Sequence, residues 1–270
     1  MIIGFLGKGG SGKSTLATAM TEYISHIGKK VLALDADYNM DLSYNLSVSD
    51  DITHLGAEAK KDMRTYLDVD DRELYGEIVL HKTEKQFFSL NPMDTFTKKY
   101  TEQIRPNLYA MSIGPQPHEV LHGKMCSHGL GAVLKVYLPL LQLGEHEHVI
   151  VDEKAGADGV STGIPTGFDF AVVVVEPTPH GIKTAKQIGE LLEYFKTPYG
   201  FVVNKVKEST DIEKVKTELN GTVITCIPFG EYIDSACIKD IYEYVKNYRV
   251  IRGDMRLQRS IDKFTRNKSV

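Results

Sequence analysis

Residues 7–14 read GKGGSGKS, and this stretch decides the fold. It fits the pattern G-x-x-x-x-G-K-[S/T], which forms a phosphate-binding loop when it follows a strand and opens a helix. Both conditions are met, because the apolar run IIGFL precedes it at residues 2–6 and an amphipathic helical pattern follows at residues 16–27. A glycine-rich turn with chance lysines is the alternative, and it would not require the strand and the helix. We therefore predict a loop that binds nucleotide phosphates.

Each residue type in this loop has a chemical role. The glycines let the backbone curl so that its N–H groups point at a β-phosphate, and the helix N-terminus adds the positive end of its dipole. Lys13 is expected to bridge the β- and γ-phosphate oxygens, and the Ser14 hydroxyl to bind Mg²⁺. The predicted nucleotide-binding residues of this loop and the helix start are Gly9, Gly10, Ser11, Gly12, Lys13, Ser14 and Thr15.

The rest of the chain alternates short apolar runs with helical patterns. Strands are predicted at residues 2–7, 31–34, 108–113, 149–151, 170–175, 201–203 and 223–227, and helices at residues 16–27, 130–143, 182–195, 212–219 and 241–248. Apolar strands that alternate with helices are typical of a parallel sheet covered on both faces. The predicted fold class is therefore α/β, a P-loop NTPase with a mostly parallel sheet and helices on both faces.

We expect residues 1–270 to form one domain with two less regular parts. Residues 45–100 are polar and predict a peripheral helical insertion. Residues 249–270 carry seven basic side chains against Asp254 and Asp262, which predicts a basic, solvated C-terminal tail. The alternative for this tail is a membrane-binding helix face, because three apolar side chains have helical spacing. These are Leu257, Ile261 and Phe264.

Composition excludes several classes of protein. Of the 270 residues, 42% are hydrophobic and 25% are charged, as in an ordinary globular protein. The net charge of −4 argues against a nucleic-acid-binding protein, so no nucleic-acid partner is expected. Three cysteines are too few for a disulfide framework and suggest a reducing, cytoplasmic location. No apolar run reaches the length of about 20 residues that spans a membrane, so membrane association is not expected.

The early Lys8 makes the loop G-K-G-G-x-G-K-[S/T], a form with a second lysine. This resembles the deviant Walker family of dimeric ATPases, which includes nitrogenase iron proteins, arsenite-pump and tail-anchor targeting ATPases, and the MinD and ParA positioning proteins. The resemblance implies a nucleotide-dependent homodimer in which Lys8 reaches the partner's nucleotide, with a catalytic role like that of an arginine finger. A solvated surface lysine is the alternative.

Further stretches resemble the other nucleotide-binding elements of this family, in the same order. In DADYNMD at residues 35–41, the resemblance implies that Asp37 orients or deprotonates the attacking water and that Asp41 holds a Mg²⁺-bound water. A turn rich in aspartate is the alternative there. Asp152 ends a buried strand, where a carboxylate is costly unless it meets a cation such as Mg²⁺. By resemblance Asn204 binds adenine, and Pro228 is a further nucleotide-binding residue. Lys207 stands where a guanine-binding loop has aspartate, which favours ATP over GTP.

From about residue 88 to 227 the sequence resembles one branch, the carbon monoxide dehydrogenase accessory ATPases (CooC). Stretches such as VVEP at 174–177, IKT at 182–184 and VNKV at 203–206 carry this resemblance. It implies an ATP-driven dimer that handles nickel for a metalloenzyme client through a C-x-C pair. Here Lys124 replaces the first cysteine, and only Cys126 remains.

Nearby histidines keep a metal site open as a hypothesis. His122 and Cys126 are four residues apart, and His128 follows. Imidazole and thiolate suit Ni²⁺ or Zn²⁺, and a two-fold axis at the dimer interface could combine ligands from two subunits. The alternative is a set of surface histidines without a metal.

Three functions follow from these patterns. The first is a dimeric ATPase switch for metallocentre maturation with a metalloenzyme client. The second is a MinD- or ParA-like positioning ATPase. The third is an iron–sulfur reductase like nitrogenase iron protein, which needs two interface cysteines from each subunit, and Cys126 is the one candidate.

Overall fold

The computed structural model of this chain describes residues 1–70, 87–116, 131–230, 233–252 and 255–267. The strands are β1 (Ile2–Gly7), β2 (Lys30–Ala36), β3 (Phe88–Ser89), β4 (Glu102–Arg105), β5 (Leu108–Ser112), β6 (Leu141–Gln142), β7 (Glu147–Glu153), β8 (Phe170–Val175), β9 (Tyr199–Val206) and β10 (Val223–Pro228). The helices are α1 (Lys13–His26), α2 (Asp41–Asn45), α3 (Ala57–Leu67), α4 (Thr95–Lys99), α5 (Leu134–Leu140), α6 (Ala157–Ser161), α7 (Pro179–Phe195), α8 (Ser209–Glu218), α9 (Ser235–Arg252) and α10 (Arg256–Asn267). A 3₁₀ helix spans Ile164–Gly167.

One sheet organises the described residues. Its eight strands run in the order β10-β9-β8-β1-β7-β2-β5-β4, and every neighbouring pair is parallel except β4 and β5. The short strands β3 and β6 form a separate parallel pair. The predicted α/β fold with a mostly parallel sheet is confirmed.

Side-chain alternation along the strands divides the core into two layers. On β1, Ile3 and Phe5 pack on one face in a cluster with Leu16 and Ile24 of α1. Ile2 and Leu6 of the same strand face the opposite layer, which contains side chains of α5 and α7. Successive strand residues point to opposite faces, so a strand that is apolar throughout requires cover on both sides.

The remaining differences from the predicted elements have local causes. Strand β4 reads EQIR and alternates partly buried with exposed residues, as expected for an edge strand, and this short polar stretch gave no apolar run to detect. The helix predicted at 130–143 is observed as α5, which stops at Leu140 because Leu141 pairs with Phe88 in the β3–β6 ladder. The other predicted strands and helices are present with shifted ends.

The described part of residues 45–100 contributes to the main core. Met63, Phe88 and Tyr100 are completely buried, and Phe96 is nearly so. The Phe88 ring lies 4.8 Å from that of Tyr137 on α5, centroid to centroid. This part of the chain is therefore not a peripheral appendage, because its aromatic side chains fill one layer of the core.

The expectation of a solvated tail is wrong for α10. Arg256 is buried and donates from its two terminal nitrogens to the carbonyl oxygens of Leu138 and Leu141, each at 3.0 Å. Its Nε lies 3.4 Å from a carboxylate oxygen of the buried Asp169. The other carboxylate oxygen of Asp169 accepts from the backbone N–H of Ile2 at 2.7 Å, so Arg256 connects α10 to the start of β1.

Other basic residues of α10 also point inward, to carbonyl groups near the C-terminal ends of neighbouring helices. Lys263 donates to the carbonyl of Thr162, directly after α6, at 3.0 Å, and Arg266 donates to that of Tyr194 in the last turn of α7 at 3.1 Å. Cations at helix C-termini are stabilising because the terminal carbonyls lack helical partners. Leu257 and Ile261 are partly buried and pack against the core, so two of the three side chains of the alternative membrane-binding face are used within the protein.

No helix among the described residues combines the length and the apolar character needed to cross a bilayer.

Replacing Arg256 by methionine should lower the free energy of unfolding by about 3 kcal/mol, because the change leaves a buried carboxylate and two carbonyls without their cation. Urea denaturation of the variant measures this loss. Lys239→Met on α9 is the control, since Lys239 is exposed and its replacement should change stability by less than about 0.5 kcal/mol. Equal midpoints for the two variants would contradict the structural role of Arg256.

Candidate functional site

The glycines of residues 7–14 build a tight loop between β1 and α1. Gly10 and Gly12 have φ angles of 77° and 98°, in the left-handed region that disfavours side chains. A Cβ at Gly12 would lie 2.4 Å from the amide nitrogen of Asn204. The loop closes through a 3.1 Å hydrogen bond from the Ser11 N–H to the carbonyl of Lys8. The predicted strand, loop and helix therefore occur together.

The end of β9 fastens this loop from the side. Asn204 Nδ2 donates to the carbonyl of Ser11 at 2.8 Å, and its Oδ1 accepts from the N–H of Lys205 at 2.9 Å. Lys205 Nζ donates to the carbonyl of Gly10 at 2.7 Å. Asn204 thus positions the loop, a role that the sequence did not suggest. Adenine binding by Asn204 stays a prediction.

Asp152 is the central carboxylate of the site. It is completely buried at the carboxyl end of β7, beside Asp35 of β2 in the sheet register. Among the described residues neither of its oxygens has a hydrogen-bond partner. Burial raises its pKa to about 7, and the Lys13 ammonium and the Ser14 hydroxyl oppose this rise. A buried carboxylate with two free oxygens beside a serine hydroxyl fits a divalent cation, as predicted for Mg²⁺.

Asp35 organises the segment that follows β2, although only its neighbours were assigned roles from the sequence. One carboxylate oxygen accepts from both the N–H and the hydroxyl of Ser43, at 2.8 and 2.9 Å, and the other accepts from the N–H of Asp37 at 3.2 Å. Burial raises the Asp35 pKa to about 6. Asp35 thereby holds Asp37 at the sheet edge, nearly buried, while Asp41 is exposed at the start of α2.

Glu153 is a second acidic residue that the sequence analysis did not single out. It is 1% exposed, its Oε2 has no hydrogen-bond partner among the described residues, and burial raises its pKa to about 8. It directly follows Asp152, and the negative charges of Asp152 and Asp37 raise its pKa further. The end of β7 therefore places two buried acidic groups next to each other along the chain, on opposite faces of the sheet.

A cavity of about 270 Å³ opens beside these carboxylates. Asp37, Tyr38 and Asn39 line it from the β2 side, and Lys154 and Ala155 from the β7 side. The Lys154 ammonium lies 5.8 Å from the centroid of the Tyr38 ring, so the two walls are in contact. The second wall is also fastened to β1, because the Gly156 N–H donates to the carbonyl of Gly7 at 2.9 Å. A cavity of this kind can accommodate the terminal phosphate of a nucleotide next to the Asp37 carboxylate, which could act on a water molecule.

The structure brings most predicted site residues to one edge of the sheet. Lys13 is 7% exposed and begins α1, followed by the half-buried Ser14 and the exposed Thr15. Lys8 is half-buried and Gly9 is exposed in the same loop. Pro228 is the exposed last residue of β10. Its predicted nucleotide contact, like that of Thr15, stays a prediction.

The predicted transition-metal ligands Cys126, His122 and His128 lie outside the described residues. Within the described ranges no group of three or more His, Cys, Asp or Glu side chains could hold a metal ion. His148 lies at the amino-terminal part of β7, away from the loop, where its Nε2 is 3.1 Å from the Tyr242 hydroxyl.

Comparison with known families gives the same assignment as the geometry. Residues 2–239 match the model of the CobQ/CobB/MinD/ParA nucleotide binding domain. The chain belongs to this family. Its membership makes it a nucleotide-binding P-loop protein, as the loop and the strand-end carboxylates indicate.

Two relatives are similar to this CobQ/CobB/MinD/ParA family member over most of its sequence. An uncharacterized ATP-binding protein of Methanocaldococcus jannaschii is 30% identical over 262 residues, which cover 90% of this chain and 98% of the relative. The carbon monoxide dehydrogenase accessory protein CooC of Rhodospirillum rubrum is 27% identical over 240 residues, covering 87% and 86%. The suspected link to CooC-like proteins is therefore supported by sequence similarity over most of both chains.

Solved structures of similar fold include two positioning proteins. The septum site-determining protein MinD of Pyrococcus horikoshii, complexed with Mg-ADP, has a TM-score of 0.55 and 19% identity, covering 96% of this chain and 92% of its own. A putative plasmid partition protein of Borrelia burgdorferi, bound to AMPPNP, has a TM-score of 0.57 and 15% identity, covering 93% and 98%. At these identities the similarity shows the fold.

The buried Asp152 predicts a pH dependence of stability in the nucleotide-free protein. Its folded-state pKa lies above the unfolded value, so its contribution to stability is present at acidic pH and is lost as the pH rises from about 4 to about 7. Asp152→Asn should remove this loss. The variant should exceed the parent in unfolding free energy by about 2 kcal/mol or more at pH 8, and by much less at pH 5.

Chemical denaturation at the two pH values measures the difference, with the exposed Asp51→Asn as the control. A stability gain for Asp152→Asn that is the same at both pH values would show that the carboxyl group is not held in the protonated form by burial.

Proposed function

We propose that this chain is an ATP-hydrolysing switch that closes as a homodimer on Mg-ATP. The observation that carries the proposal is the convergence of Lys13 and Asp152 on the loop edge, with Asp37 beside the adjoining cavity. Lys13 would contact phosphate oxygens, Ser14 and Asp152 would hold Mg²⁺, and Asp41 would bind a water of the ion. A bound Mg²⁺ would supply positive charge against the phosphate oxygens.

Asp37 is the proposed group that orients the attacking water. Its Oδ1 accepts the N–H of Asn39 at 3.3 Å, which fixes the carboxylate at the cavity wall. The anchoring of its backbone by Asp35 restricts its movement further. A carboxylate held in this way can accept a proton from water or align it for in-line attack on a phosphoryl group. Lys8, from a second copy of the chain, would add positive charge in the transition state.

The proposed preference for ATP over GTP rests on the residues at the end of β9, which would contact the base. Lys207 stands two residues beyond Lys205, where an acidic side chain would be needed to bind the two donors of guanine. The relative from Methanocaldococcus jannaschii is named an ATP-binding protein. Adenine is therefore the proposed base, contacted by Asn204 and by the chain around Pro228.

Two variants separate binding from hydrolysis. Lys13→Ala should weaken Mg-ATP binding at least 10- to 100-fold, because it removes a charge-assisted contact to phosphate. Asp37→Asn should keep ATP affinity within a few-fold and lower the hydrolysis rate about 100-fold or more. Isothermal titration and phosphate release measure the two quantities, with Lys183→Ala on the exposed side of α7 as the control. Unchanged ATP affinity in Lys13→Ala would refute the loop assignment, and unchanged hydrolysis in Asp37→Asn would place the water-orienting group elsewhere.

A more specific proposal is that this ATP-hydrolysing switch acts in metallocentre maturation with a metalloenzyme client. Its support is the relative named a carbon monoxide dehydrogenase accessory protein, similar over most of both chains. The positioning alternative has less support in this chain, because Leu257 and Ile261 of the required membrane face pack against the core. The proposed transition-metal ligands are Cys126, His122 and His128, which lie within residues 117–130.

Equilibrium dialysis of the reduced protein against Ni²⁺ or Zn²⁺, with ATP, with ADP and without nucleotide, tests this role. We expect about one metal ion per ATP-bound dimer, held through the Cys126 thiolate, and no such binding in Cys126→Ala. Cys237→Ala is the matched control, since Cys237 is half-buried on α9 and its Sγ lies 4.0 Å from the Thr225 hydroxyl. Binding that does not depend on Cys126 would contradict the proposed metal site.

A further inference from the structure

Three neighbouring strand ends gather three charged side chains beside the phosphate-binding loop. Gly7 of β1 is in register with Val174 of β8, and Val175 of β8 is in register with Val203 of β9. Because the strands are parallel, the residues that follow them meet at the same edge of the sheet. Lys8 follows β1, Glu176 follows β8, and Lys205 lies near the end of β9.

Glu176 lies between the two lysines. One carboxylate oxygen is 3.9 Å from Lys8 Nζ, and the other is 3.8 Å from Lys205 Nζ. The three side chains are 31%, 24% and 35% exposed, in the order Lys8, Glu176, Lys205. Ion pairs this long and this exposed are screened by water and exchange partners readily.

The backbone of Glu176 and the ammonium of Lys205 are held by further contacts, whereas the Lys8 ammonium has its ion pair with Glu176. The carbonyl of Glu176 accepts from the N–H of Thr178 at 2.7 Å, and a Cβ at Gly181 would lie 2.2 Å from the same carbonyl, so the first turn of α7 packs directly on Glu176. Lys205 is held by its hydrogen bond to the carbonyl of Gly10. For the Lys8 ammonium, Glu176 is the one ion-pair partner within the described residues.

We propose that Glu176 is a positioning residue that holds Lys8 within its own subunit and releases it to a second copy of the chain. This inference rests on the proposed ATP-dependent dimer. Release carries little cost, because Glu176 keeps Lys205 as its counter-charge and is not left unpaired. The departure of Lys8 also relieves its repulsion with Lys205, which shares the same carboxylate.

The arrangement makes the dimer equilibrium depend on Glu176 and Lys205 in opposite directions. Without the carboxylate, Lys8 has no partner to give up, so the dimer should become tighter. Without Lys205, Glu176 would lose its counter-charge when Lys8 leaves, so the dimer should become weaker. A residue that merely supported the local fold would weaken the dimer in both cases.

Sedimentation of the full chain with a slowly hydrolysed ATP analogue and Mg²⁺ measures the dimer dissociation constant. Glu176→Gln should lower it about three- to fivefold and Lys205→Met should raise it by a similar factor, the range expected for exposed ion pairs. Glu176→Asp keeps the charge and should lie closer to the parent than Glu176→Gln. The differences should shrink at 0.5 M salt, where such pairs are screened.

The effect should also require Lys8. In a Lys8→Ala background, which should stay monomeric, Glu176→Gln should not restore the dimer. A parent protein that binds the analogue but stays monomeric would overturn the proposed function and this inference with it. A parent dimer whose dissociation constant is unchanged or raised in Glu176→Gln would overturn the inference about Glu176 alone. Analogue affinity and thermal midpoint, measured on each variant, identify a change in the loop or the fold.

Discussion

The burial of Asp152 is the constraint around which this edge of the sheet is arranged. Burial away from solvent disfavours the charged carboxylate and raises the pKa of Asp152. The Lys13 ammonium and the Ser14 hydroxyl act in the opposite direction and lower this pKa. The neighbouring acids Asp35 and Asp37 increase the same cost, because their negative charges raise the pKa of Asp152 further. A cation bound beside Ser14 would lower the cost of burying the charged Asp152 carboxylate. This gain would contribute to the affinity of the site for a metal–phosphate ligand.

The loop that would receive this ligand is fastened from two sides. Asn204 and Lys205 donate to the carbonyls of Ser11 and Gly10, and the segment after β7 donates to Gly7. These contacts connect β1, β7 and β9 through the loop itself. A change at the phosphate end can therefore be transmitted to Glu176 and Lys8, which border the same loop. The fold thus connects the phosphate end of the site to the surface through which we propose that two copies of the chain associate.

Local patterns allowed the central features to be predicted from the sequence. The strand, the glycine loop and the helix are contiguous, so the sequence pattern of residues 2–26 is sufficient to predict the phosphate-binding loop. The apolar run of β7 likewise predicted that Asp152 lies at a strand end. Contacts that depend on strand order could not be predicted. Asn204 is 193 residues from Ser11, and Glu176 meets Lys8 and Lys205 only because β1, β8 and β9 are neighbours in the sheet. The basic residues of α10 suggested solvation, because the carbonyl groups that hold Arg256 belong to distant segments.

In the proposed function, nucleotide binding at this edge of the sheet assembles two copies of the chain. The most direct test is the solution mass of the protein at saturating nucleotide, with a slowly hydrolysed ATP analogue and with ADP. We expect twice the chain mass with the analogue, the chain mass with ADP, and the chain mass for Lys8→Ala with the analogue. Saturated binding of the analogue at the mass of a single chain would contradict this expectation.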